Sequence, residues 1–124
     1  MININNNKEE EIICWSLEGE MTTDVVFKAI EETNRINQNP QFLKLLQTDK
    51  DSTSKLSMLD HVKISLFSRK HLKKYSKVKI AFVINKPVNV ALAIMAMQTL
   101  SGGKLLAKVF SEKENAKEWL INMN

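Results

Sequence analysis

Short apolar runs alternate with amphipathic stretches along the whole chain. Glu11 to Glu18 is β-branched and aromatic at its centre, Ile12-Ile13-Cys14-Trp15, and stops at Gly19, which predicts a strand ending in a turn. Thr22 or Thr23 then offers a capping hydroxyl and Asp24 a carboxylate in the first turn, where it suits the helix dipole. Val25, Val26, Ala29 and Ile30 recur at helical spacing, so a helix is expected over 23–34, broken by Asn37-Gln38-Asn39-Pro40. Phe42 to Thr48 reads as a short buried strand, and Asp49 to Ser54 as the polar loop after it. Ser57 and Asp60 stand three apart in the manner of a capping box. They open a second helix to about His71, with Met58 or Leu59, Val62, Leu66 and Phe67 as its buried stripe.

Lys77 to Asn85 is the clearest strand, nearly continuous in apolar residues and suited to the centre of a sheet covered on both faces. After Pro87, Val90 to Leu100 predicts a third helix closed by Ser101-Gly102-Gly103. Lys104 to Phe110 is the next strand, and Ser111-Glu112-Lys113-Glu114 reads as a capping box for a last helix with Ala116, Trp119 and Leu120 on one side. Strands alternating with helices imply an α/β domain with a largely parallel sheet and right-handed crossovers. Residues 1–8 read either as flexible or as an extra edge strand, and the first strand as open to antiparallel pairing. With no repeat, linker or composition shift, one domain over 1–124 is expected.

Composition agrees with a folded chain: 44% of residues are hydrophobic and 26% charged, far from the balance of disordered sequences. The single cysteine, Cys14, excludes an intramolecular disulfide and a Cys-x-x-Cys pair, which favours a reducing, cytoplasmic setting. No secretory pattern opens the sequence, and the apolar stretch Val88 to Met97 is far shorter than the ~20 residues a membrane span needs. The net charge of +4 is unevenly spread. Glu9, Glu10, Glu11, Glu18 and Glu20 crowd the start, whereas Arg69, Lys70, Lys73, Lys74, Lys77 and Lys79 form an acid-free run. Within that run Lys70, Lys73, Lys74 and Lys77 are the candidate contacts for an anion or an anionic membrane surface.

Catalytic chemistry is hard to place. The segments after Gly19, Thr48, Asn85 and Phe110 follow strands, where ligands of open α/β sheets bind, but none carries a phosphate-binding glycine motif, and Gly102-Gly103 follows a helix. His61 and His71, ten apart, point different ways around one helix and do not make a metal pair. Cys14 sits in a strand beside Trp15 as a small hydrophobe. Asp49 ends a strand as a receiver-domain aspartate does, but Glu18 and Glu20 are poor substitutes for the acidic magnesium-binding pair such a domain needs, even with Lys86 downstream. No enzyme, metal or cofactor is expected. Val90 to Met97 is apolar around its whole circumference, so Val90, Ile94, Met95 and Met97 are candidates for a dimer face or an apolar ligand pocket, unless they are simply core.

Together, Trp15 to Gly19 followed by Met21-Thr22-Thr23-Asp24, Leu45 to Asp49, Lys79-Ile80-Ala81-Phe82-Val83, and Lys108-Val109-Phe110-Ser111 to Ala116-Lys117-Glu118-Trp119-Leu120 resemble the STAS domain. The resemblance is to its SpoIIAA-like group of small bacterial proteins, related in part to CRAL-TRIO-type lipid-binding domains, and it covers Ile12 to Leu120. It implies a mixed, mostly parallel sheet of four to five strands with about four helices, used for recognition rather than catalysis. Another protein is the implied partner, with a homodimer or an apolar small molecule as alternatives and nucleic acid disfavoured. In the family's anti-sigma-factor antagonists a serine in an Asp-Ser-Ser-Gly motif at the start of the second helix is phosphorylated. Here Lys55-Leu56-Ser57-Met58-Leu59-Asp60 stands in that region without the glycine, and Ser57 is the corresponding phosphoacceptor candidate.

Overall fold

The structure is a computed structural model; it describes residues 1–54, 56–83 and 104–122, with the backbone alone over 50–54. Five strands form one sheet: β1 (Ile2–Asn7), β2 (Ile12–Met21), β3 (Phe42–Ser54), β4 (Lys77–Val83) and β5 (Leu105–Phe110). Three helices accompany them, α1 (Thr23–Ile36), α2 (Met58–His71) and α3 (Lys113–Ile121). The strands lie in sequence order, β1-β2-β3-β4-β5. β1 and β2 pair antiparallel, and every later pair is parallel. Of the two readings of residues 1–8, the edge strand is the one observed. The expected helix over 90–100 lies outside the described residues, so the fold established here is α/β with a five-stranded mixed sheet and three described helices.

Because side chains alternate across a strand, each strand feeds two cores. On one face Ile13, Trp15, Leu17, Leu43, Leu45, Val78, Ile80 and Phe82 pack under α1 and α2, with Ala29, Ile30, Ile64 and Tyr75 closing the layer. On the other, Ile12, Leu46 and Ala81 meet Ala116 and Leu120 of α3. Among the described residues, α3 covers that second face over β3, β4 and β5. The strip by β1 and β2 carries Asn3, Asn5, Ser16, Glu18 and Glu20, out of register with the apolar side chains of the first face.

Several boundaries depart from the sequence reading. β2 does not stop at Gly19 but runs on to Met21, and the expected loop Asp49 to Ser54 is a continuation of β3. The two segments pair with each other beyond a register shift between Leu17 and Glu18, Glu18 opposite Asp51 and Met21 opposite Ser54. Backbone pairing there satisfies N–H and C=O groups whatever the side chains, so polarity alone is misleading. Gly19 carries φ +75°, a conformation open to glycine at no steric cost. The expected capping box at Ser111 is also absent: Glu112 is the N-cap of α3, without a side-chain hydrogen bond.

Candidate functional site

The largest correction concerns α2. Met58 and Leu59, one or the other of which is expected in its buried stripe with Leu66, are 49% and 62% exposed and Leu66 is 50% exposed, and Val62 and Phe67 are half-buried. The face turned to the core carries Ile64, Ser65 and Ser68 instead. Two small serines allow close approach of the helix, and Ser65 hands its hydroxyl proton back to the His61 carbonyl at 2.8 Å. Phe67 stacks between Phe27 of α1, 4.1 Å away, and His71, 4.0 Å away, fixing the roll of α2 on α1. With the roll fixed, Leu59 and Leu66, two turns apart, share the outer face with Met58, and exposed Lys63, Arg69 and Lys70 border it.

Ser57 stands at the end of this face. Its hydroxyl accepts from the Asp60 N–H at 3.1 Å, and its own N–H donates to Asp60 Oδ2 at 2.9 Å, a complete capping box that holds the Asp60 carboxyl below its ordinary range. The hydroxyl is exposed, as a phosphoacceptor must be, but it already serves the helix end.

Lys70, Lys73 and Lys74 are exposed on the end of α2 and the turn after it, and Lys77 is half-buried at the start of β4. Lys74 lies over the Tyr75 ring, 5.2 Å from its centroid. Lys73 lines a concavity. This is a cleft of about 120 Å³ where the C-terminal end of α2 meets the first residues of β4 and β5. Leu72, Val78 and Leu105 floor it, and the cations Arg69, Lys73 and Lys104 surround it. Buried Ser65 and Ser68 complete its α2 wall. Lys104 reaches across, its Nζ donating to the Lys73 carbonyl. The site was invisible as a motif because its three cations come from α2, the following turn and the entry to β5. Its position also departs from the usual crevice at strand carboxyl ends: the strand order shows no reversal, so the described strands make no switch-point crevice.

Lys79, which closes the acid-free run of the sequence without being among its candidate contacts, lies elsewhere. It is 3% exposed under α3, where its Nζ donates to the carbonyls of Trp119, at 2.9 Å, and Asn122, and lies 4.7 Å from the Trp119 ring centroid. A cation at a helix C-terminus is favourable, and desolvation, followed by Lys77 and Lys44, pushes its ammonium pKa below the usual lysine value. Cys14, half-buried on the same sheet face, has its thiol pKa pushed up by burial, partly offset by Lys113 and Lys117, which leaves it a poor nucleophile at neutral pH. Among the described residues no three metal-binding side chains gather, and no helix is long and apolar enough to cross a membrane. Val90, Ile94, Met95 and Met97 lie outside the described residues. No family model, curated protein or solved structure matches the chain.

Proposed function

We propose that this protein is a non-enzymatic interaction module of the STAS, SpoIIAA-like type, whose partner is another protein that docks on the outer face of α2. The observation that carries the reading is the exposure of Met58, Leu59 and Leu66 together on a helix whose opposite side is anchored. Three large apolar side chains left in water side by side lose hydrophobic stabilisation that a partner surface restores. Lys63, Arg69 and Lys70 around them favour a partner with an apolar pocket and an acidic rim. The resemblance supports the same end of the molecule, since it places the family's regulated serine at the start of this helix. Ser57 occupies that rim, and a phosphate added there would set new negative charge beside Met58 and oppose an acidic partner.

A photo-crosslinking residue at position 59, expressed in the native host, tests the reading against the same residue at position 3, an exposed site on β1. One discrete protein adduct from position 59, absent from position 3, is expected. The recombinant partner should then bind the Leu59→Glu variant at least about tenfold more weakly than the parent chain. Indistinguishable adducts from the two positions, or unchanged binding by Leu59→Glu, would overturn the assignment.

A further inference from the structure

We propose that the cleft between α2, β4 and β5 is a binding site for a small organic anion, a carboxylate on a short apolar body. Charge is the first argument. Arg69, Lys73 and Lys104 border a single concavity to which no carboxylate of a described residue contributes. None of the three has an acidic partner among the described residues. Three cations held together without a counter-ion repel one another, and an anion between them removes that cost. Arg69 and Lys73 are exposed and Lys104 is half-buried with its ammonium on the Lys73 carbonyl, so the site combines cationic side chains with an apolar floor.

Shape supplies the second argument. Leu72, Val78 and Leu105 are each under a tenth exposed and belong to the main core, so the floor is rigid and dry. A bare inorganic anion would gain nothing from that floor, whereas a short aliphatic or aromatic body fills it. The volume of about 120 Å³ admits a few heavy atoms rather than a nucleotide or a lipid chain.

The third argument is Ser68. It is 4% exposed and lines the cleft, yet its hydroxyl makes no hydrogen bond to any described residue, whereas the neighbouring Ser65 hydroxyl is spent on the His61 carbonyl. No buried side-chain polar atom among the described residues lacks a partner, so this hydroxyl opens onto the cleft and is left to donate to water there. The carboxylate of the ligand accepts that bond, with Arg69 and Lys104 balancing its charge. Nothing in this inference rests on a protein docking at the outer face of α2.

Titration of the ¹⁵N-labelled protein with sodium butanoate, sodium benzoate, inorganic phosphate and butan-1-ol, followed by amide shifts, is the test. At least one of the two carboxylates should shift residues 65–73, 104 and 105 saturably, with a Kd of about 1 mM or tighter. Phosphate should bind at least about fivefold more weakly, and butan-1-ol should not saturate below about 50 mM. Raising the salt from about 50 to 300 mM should loosen carboxylate binding several-fold, a readout that needs no variant. Arg69→Gln with Lys104→Gln should weaken it by about tenfold or more, and Ser68→Ala by about fivefold. Shifts that fail to saturate, persist in the double variant, ignore salt, or are matched by phosphate would each overturn the proposal.

Discussion

Trp15 shows how single polar atoms decide what the core will accept. Its indole N–H, under α1 and 5% exposed as a residue, donates to Thr33 Oγ1 at 2.8 Å, and Thr33 is itself 2% exposed. Thr33→Val keeps the shape and removes the acceptor, stranding a buried N–H. Stability should fall by about 1–3 kcal/mol in urea titration, while Thr33→Ser, which keeps the oxygen, should lose less. A comparable link joins Tyr75, whose hydroxyl donates to Asn34 Oδ1 at 3.0 Å while Asn34 Nδ2 donates to the His71 carbonyl at 3.1 Å. The turn after α2 is thus tied to the end of α1, and that turn carries Lys73 into the cleft. None of the three bonds is legible in the sequence, because each joins residues at least eighteen positions apart whose types recur throughout the chain.

Secondary-structure elements were more legible than the faces they present. Spacing and caps located β2, α1, β4, β5 and α3 to within a few residues, and the Ser57–Asp60 box was recognisable because a capping box is local by construction. The orientation of α2 was not recognisable. Its apolar residues occupy both sides of the helix, so periodicity cannot choose between Leu59 with Leu66 and Ile64 with Phe67, and stacking of Phe27 on Phe67 makes the choice. Leu66→Gln should therefore alter stability by no more than about 0.5 kcal/mol, whereas Ile64→Ala should cost about 2–5 kcal/mol, both read from urea unfolding. A reversed ranking would mean that α2 is rolled the other way. The cleft shares this limitation, since its cations converge only once the strands are paired.

For the molecule as a whole, two α2 neighbours contribute to the response to acid. Desolvation holds the His61 pKa below its ordinary value of 6.5, with Asp60 partly offsetting it, and hydrogen bonds from Ser57 hold Asp60 below its ordinary 3.8. In both cases the unfolded chain takes up the proton first, so acidification favours unfolding. The histidine contribution falls away as pH drops from 6.5 through its folded value, and the carboxylate contribution as pH drops below 3.8. The urea midpoint should accordingly be lower at pH 5.5 than at 7.5, and His61→Gln should flatten that difference. The unreversed strand order has a consequence of another kind, in time. β1 and β2 close a local hairpin, and each later strand is added to an edge formed by the strand before it. A nascent chain emerging N-terminus first can therefore build the sheet in the order of synthesis, none of the described strands having to wait for a later one to separate it from its neighbour.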